Sequence, residues 1–269
     1  MRTVFLPTNF SEKSRNAMKY ACDLFHEEPM HFVLLHAYDI PYQPNEIMVS
    51  SLLENMKEDV EIKLKAEEVR LQEMIQHPDS QITKKLGIGS VVDVVKFNED
   101  LDADFIVVGI KGDREIREFL VGSNTEQIIK STDVPVLVIP NGTKYSKYKN
   151  IVYGSDLKSV KDESIAPMIR LLERTEANLS VVHIGELSDE EKDVSLKELD
   201  KLLGERMTSF IQFESDEIIK GLERCVDQTK ADLLVLVDRK RNFFQRIFHK
   251  SVTKSIGMRT HVPLLVLHE

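Results

Sequence analysis

The chain contains itself twice, and any fold it adopts must therefore be buildable twice. "ADFIVVGIKG" at 103–112 matches "ADLLVLVDRK" at 231–240, and "TDVPVLVIP" at 132–140 matches "THVPLLVLH" at 260–268, both at an offset of 128. Nearer the start of each copy the offset is 147: "VFLPTNF" at 4–10 with "IVYGSDL" at 151–157, and "FVLLHAY" at 32–38 with "LSVVHIG" at 179–185. The offsets differ by 19 residues, so the second copy carries a deletion between residues 185 and 231. Internal repetition of this kind marks tandem structural units. The units are 1–144 and 149–269, joined by "NGTKYSKYKN", a polar stretch with an Asn-Gly turn signal.

Each unit alternates short apolar runs with helical patterns. In the first, the runs are 2–7, 31–37, 81–86, 104–108 and 135–139, rich in Val, Ile and Leu with little alternation. Such runs suit strands buried on both faces of a parallel sheet. Helices are expected at about 11–27, 45–77, 90–101 and 122–132. Ser11 is the expected N-cap of the first, whose apolar residues recur at 17, 18, 21, 24 and 25. In the second unit the long helix shrinks to about 188–205, which places the deletion. The fold class is α/β: two tandem doubly wound domains, each a five-stranded parallel sheet with helices on both faces.

Three glycines and a serine then ask for a ligand. In "VVGIKGDREIREFLVGSNTEQIIK", 107–130, a strand runs into Gly109, Gly112 follows, and Gly122 stands directly before Ser123 at a helix start. Ligands of open α/β sheets lie at the carboxyl ends of strands. Gly109 and Gly112 are expected to take positive φ and let the backbone approach a ligand, with Gly122 doing the same at the helix entry. Ser123 and Asn124 offer N–H groups, a hydroxyl and an amide at the positive end of a helix, a ready phosphate site. Three turn glycines in a surface loop are the competing explanation. No G-x-x-x-x-G-K-[ST] run is present, and no G-x-G-x-x-G follows the first strand, so neither a P-loop NTPase nor a dinucleotide-binding dehydrogenase is indicated.

The spacing G-x2-G-x9-G-[ST], filled by Gly109, Gly112, Gly122 and Ser123, together with "FLPTNFSEKS", "LLHAY" and "VPVLVIP", resembles the universal stress proteins over the whole chain. The resemblance implies ATP bound through adenine, ribose and phosphate contacts, and two halves paired as a pseudo-dimer. Carried over by position, Pro7, Thr8 and Asn9 lie beside the nucleoside. Ala37 contacts adenine through its backbone, and Val108 and Gly109 border base and ribose. Gly112, Gly122, Ser123, Asn124 and Thr125 cradle the phosphates. The family usually has Asp where this chain has Asn9, which keeps an acceptor, adds a donor and loses the charge. No protein metal ligand or catalytic residue is assigned; Mg²⁺ would come only through the phosphates.

The second unit has Val237, Lys240, Lys250 and Ser251 at the motif positions. The spacing is intact and all three glycines are gone, so ATP is not expected there, although Asp156 keeps the family's acid. "RKRNFFQRIFHK", 239–250, reads either as an anion or partner surface or as a helix whose Phe243, Phe244, Ile247 and Phe248 pack inward. His36 and His183 stand at equivalent strand ends and lack any accompanying nucleophile motif, which favours a structural role. Arg114 and Arg117 are surface charges, or contacts to phosphate.

A net charge of −9 argues against nucleic acid and anionic membranes as partners. No apolar run reaches membrane-span length, the N-terminus lacks a signal-peptide pattern, and two distant cysteines fit a reducing cytoplasm. The leading expectation is a cytoplasmic, ATP- or AMP-binding stress-response protein, regulatory and not enzymatic, with one nucleotide per chain. No general base, metal-binding acid or arginine finger is positioned, so any hydrolysis is expected to be slow. A nucleotide-hydrolysing enzyme and an interaction scaffold with a vestigial site stand as alternatives, and a further homodimer stays open.

Overall fold

A computed structural model describes residues 1–38, 46–110, 123–158, 160–215, 217–238 and 262–269, with side chains of the second helix described from residue 54 onward. The first half runs β1 (Arg2–Pro7), α1 (Glu12–Leu24), β2 (Met30–Tyr38), α2 (Glu46–Met74), β3 (Gln81–Ile88), α3 (Val91–Phe97), β4 (Phe105–Ile110), α4 (Ser123–Ser131) and β5 (Val136–Pro140). The second runs β6 (Asn150–Gly154), α5 (Asp162–Thr175), β7 (Asn178–Ile184), α6 (Asp189–Leu203), β8 (Met207–Phe213), α7 (Ile218–Thr229), β9 (Leu233–Asp238) and β10 (Leu264–His268).

All ten strands form one sheet, in the order β3-β2-β1-β4-β5-β10-β9-β6-β7-β8. Among the described residues every pairing within a half is parallel, and the one antiparallel pairing joins β5 to β10. Its register is Leu264↔Val138, Leu265↔Leu137 and Val266↔Val136. Leu137 and Leu265 are repeat counterparts at offset 128 and the two flanking pairs exchange under the same offset, so a pseudo-two-fold axis passes between Leu137 and Leu265. The repeat in the sequence thus becomes a dyad in the sheet.

The unbroken apolar runs find their reason in two core layers. Val4, Leu6, Phe32 and Leu34 face α1 and α2, while Phe5, Val33 and Leu35 face α3 and α4. Both layers continue across the β5–β10 seam into the second half. Ser11 caps α1, its side chain accepting from the Ser14 N–H, and Ala17, Met18, Ala21, Leu24 and Phe25 are all buried as the periodicity requires. Shortening of the long helix is also borne out, from 29 residues in α2 to 15 in α6. The pairing register refines the arithmetic: Gly87 opposes Ala37 and Phe213 opposes Ile184, an offset of 126 at this strand. Twenty-one residues are therefore absent between β7 and β8, and two return before β9.

The connection is more than a polar tether. Tyr148 is almost fully buried and bonds hydroxyl to hydroxyl with Tyr20 of α1 at 3.0 Å. Tyr145 meets both rings edge-on, and Asn16 Nδ2 donates to the carbonyls of Pro140 and Thr143. Across the same seam Arg174 of α5 bonds Glu28 at 3.0 Å and the Leu24 carbonyl at the end of α1. Arg174 and Arg2 both lie over the Phe25 ring. Among the described residues no helix is long and apolar enough to cross a membrane.

Candidate functional site

Strand order in each half reverses between its first and fourth strands, β1/β4 and β6/β9, which is where open α/β sheets leave a crevice. In the first half the carboxyl ends of β2, β1 and β4 bring together Ala37, Pro7–Asn9 and Val108–Gly109.

The Pro7–Phe10 loop is built from its own polar atoms. The Thr8 N–H donates to the Leu35 carbonyl at 2.8 Å, continuing the β1–β2 ladder. Its hydroxyl, buried, bonds Ser14 Oγ at 3.1 Å and accepts from the Phe10 N–H at 3.0 Å. That turn holds Phe10 at a φ of 63°, left-handed backbone for a residue with a side chain. Asn9 is exposed, and its Oδ1 accepts from the Ser11 N–H at 3.3 Å. His36 Nδ1 lies 2.7 Å from the Thr8 carbonyl; a carbonyl can only accept, so Nδ1 carries the hydrogen. Burial lowers the pKa of His36, and the Phe10 ring covers it at 4.3 Å. The histidine is an organiser of this loop. Ser14 and Phe10 were not flagged by the sequence; the small polar residue three positions after a Ser N-cap was the available signal.

Gly109 corrects an expectation. It takes no positive φ. A Cβ there would stand 2.1 Å from the Lys13 carbonyl oxygen and 2.5 Å from its carbon. The glycine is needed because the first turn of α1 rests on β4, and the room is used by the protein's own backbone. Gly112 and Gly122 lie outside the described residues, as do Arg114 and Arg117. The described part of the motif resumes at Ser123, the first residue of α4; Ser123 and Asn124 are exposed and Thr125 is buried. Among the described residues no group of three or more His, Cys, Asp or Glu is placed to hold a metal ion.

The second half repeats the loop. The Ser155 N–H donates to the Val182 carbonyl at 2.8 Å, and Ser155 Oγ accepts from the Leu157 N–H at 3.0 Å. Leu157 has a φ of 60°, Asp156 Oδ1 accepts from the Lys158 N–H, and His183 Nδ1 meets the Ser155 carbonyl at 3.1 Å. Two differences follow. Val237 stands where Gly109 does, and α5 opens at Asp162, three residues later than the offset from α1 would place it. Residues 239–261, with Lys240, Lys250, Ser251 and the "RKRNFFQRIFHK" segment, lie outside the described residues.

Two half-sheets joined about a dyad, each with a crevice at its strand switch, define a tandem α/β protein of the doubly wound class. The universal stress protein family profile matches residues 1–140, more than half of the chain. Universal stress protein MJ0577 of Methanocaldococcus jannaschii is 28% identical over 152 residues, 51% of this chain and 94% of that protein. Universal stress protein G of Salmonella typhimurium is 40% identical over 76 residues, 27% of this chain and 53% of that one. The crystal structure of a universal stress protein from Archaeoglobus fulgidus shares the fold along nearly its entire length, at a TM-score of 0.70 and 20% identity, covering 98% of this chain and 97% of that one. The chain belongs to the universal stress protein family.

Proposed function

We propose that this protein is an ATP-binding regulatory member of its family, cytoplasmic, holding one nucleotide per chain in a first domain, 1–144, while a second domain, 149–269, has given up the phosphate cradle. The observation that carries the reading is where the motif falls on the fold. Gly109 lies near the end of β4 at the strand switch, and Ser123 opens α4. The motif therefore begins at the crevice and ends at a helix N-terminus, whose first N–H groups and dipole suit phosphate.

Pro7, Thr8, Asn9, Ala37, Val108 and Gly109 would meet the nucleoside; Gly112, Gly122, Ser123, Asn124 and Thr125 would take the phosphates. What supports this division is Asn9, which stays exposed above a loop braced from below by His36 and Thr8; Gly109 would border the nucleoside through its backbone alone, since Lys13 fills its side-chain space. Asn9 brings a neutral oxygen in place of a carboxylate, so Mg²⁺ would be held through the phosphates. ATP and AMP share every contact except those to the outer phosphates, and both are ligands in this reading. The role is regulatory, with slow hydrolysis at most.

Titration calorimetry of the full chain with Mg-ATP tests it. One site per chain, lost on changing the motif glycines, is the expected result. Two equivalent sites, or no heat with ATP or AMP, would overturn it.

A further inference from the structure

The ten-stranded sheet ends in two edges that are not alike. β3 closes one end and β8 the other. Edge strands present a row of N–H and C=O groups to solvent, and proteins guard them with charged side chains. β3 carries Lys84 and Lys85 in succession, one on each face, and Lys84 Nζ donates to Glu68 at 2.9 Å. β8 reads "MTSFIQF", with no charged side chain and no proline, and all of it except Thr208 is half-buried. Its one irregularity is a bulge. Leu179 pairs with Met207 and Ser180 with Ser209, so Thr208 is an extra residue, and its Oγ1 accepts from the Leu179 N–H at 3.1 Å. Beyond the bulge, residues 209–213 pair with β7 one for one.

One hydrogen bond fixes which way the main chain of β8 faces. The Phe213 carbonyl accepts from the Gly185 N–H at 2.9 Å, so it points toward β7. Main-chain groups of successive strand residues point to opposite edges. Those of Ser209 and Ile211 therefore also point inward, and those of Phe210 and Gln212 point outward. Among the described residues no strand pairs with that outer edge. A second copy of β8 matches it. With Ile211 on a two-fold axis, Phe210 stands opposite Gln212 of the other copy, and such a pair exchanges both N–H···O bonds. Ile211 then meets its own copy side chain to side chain, Ser209 meets Phe213, and no like charges oppose each other. Shifting the axis by one residue would draw in the bulged Thr208 or set the charge of Glu214 opposite Phe210. The chain already joins its two repeats in this manner, antiparallel about a dyad at β5 and β10.

We propose that the chain forms a homodimer by antiparallel pairing of β8 with β8, which makes one sheet continuous across two molecules. The interface lies at the far end of the sheet from β1 and β4 and does not rest on the nucleotide reading. Sedimentation velocity of the full chain over a concentration series is expected to show a dimer that grows with concentration. Ile211→Lys would set two ammonium groups face to face across the axis. Ile211 is half-buried, so a lysine there keeps its head in water. This variant is expected to stay folded by circular dichroism and to sediment as a monomer where the wild type is dimeric. Ile211→Cys reads the register directly. A pair without main-chain bonds holds its Cα atoms about 4.5 Å apart, inside the ~4.4–6.8 Å that a disulfide spans. Mild oxidation with diamide is therefore expected to link two copies covalently. Cys22 and Cys225 are buried and do not compete. Phe97→Cys, 88% exposed on α3 of the first half, is the control and is expected to stay unlinked. A wild type monomeric at every concentration would leave the edge to another protein's strand and overturn the proposal. So would a dimer undiminished in folded Ile211→Lys, or an Ile211→Cys protein that links no more than the Phe97→Cys control.

Discussion

Replacing Gly109 by alanine adds a single methyl group at the tightest backbone contact near the first site. The added Cβ would lie 2.1 Å from the Lys13 carbonyl oxygen, 2.5 Å from the Lys13 carbon and 3.1 Å from the Ser14 nitrogen. These are backbone atoms at a helix start, so no side chain can swing aside. Ordinary contact needs about 3.5 Å, and the first turn of α1 must retreat by roughly 1 Å or more. Overpacking of this kind costs about 1–3 kcal/mol, a fall in melting temperature of about 2–12 °C at roughly 2–4 °C per kcal/mol. The retreat also pulls Ser14 from Thr8 Oγ1, now at 3.1 Å, past hydrogen-bond range. The Pro7–Phe10 loop would lose its support from α1, and 1.4 kcal/mol of disturbance there weakens ATP about tenfold. Urea denaturation and ATP calorimetry on the variant measure both effects. A Gly109→Ala protein with wild-type stability and affinity would refute the argument that this glycine exists to admit α1.

Four further outcomes are expected. Mg-ATP at ~100 times its dissociation constant should add about 2.7 kcal/mol of stability, seen by calorimetry as a rise of several degrees; a melting temperature indifferent to millimolar Mg-ATP would count against the nucleotide reading. Gly122→Lys copies Lys250 of the second half and should leave the chain folded by circular dichroism while removing most ATP affinity, because the N–H groups at the start of α4 must come within about 2.7–3.2 Å of phosphate oxygens; unchanged affinity would reduce the motif glycines to turn residues. A double-mutant cycle of Tyr20→Phe and Tyr148→Phe should return a coupling of about 0.5–1.5 kcal/mol, the net worth of the seam hydrogen bond; strictly additive losses would deny that contact. His36 has a folded pKa lowered by burial, so the unfolded chain takes its proton first, near pH 6.5. Its contribution is present above that pH and lost as pH falls toward the folded value, and a stability slope below pH 6.5 that is the same in His36→Asn would contradict this.

Much of the architecture was legible because its signals are local. Strands with no alternation must be covered on both faces, and Phe5 and Leu6 do go to opposite core layers. Ser11 followed by apolar residues at helical spacing carries its own cap and its own buried face. The offset of 128 reappears unaltered in β4/β9 and β5/β10, since both copies must fill the same places in the same sheet. Most of the deletion fell in the long helix, 29 residues against 15, where shortening a helix on one face of the sheet disturbs no strand pairing.

What stayed hidden depends on atoms distant in sequence. The role of Gly109 is decided by Lys13, 96 residues away, and a strand-end glycine looks the same in sequence whether a ligand or a helix occupies its missing side chain. Tyr145 and Tyr148 sit in a polar stretch and read as linker residues until α1 brings Tyr20 against them. The close packing of Leu236 and Ile184 in the second half likewise emerges only when Gly154 and Gly221 are seen to admit them. By itself the sequence determined the two-fold repetition, the doubly wound class and the half that carries the glycine motif, because periodicity and spacing are properties of neighbours along the chain. The tertiary structure alone decided that the halves join through β5 and β10 about a dyad, and which glycines serve packing, because antiparallel pairing and close approach are relations between segments that the chain order does not encode.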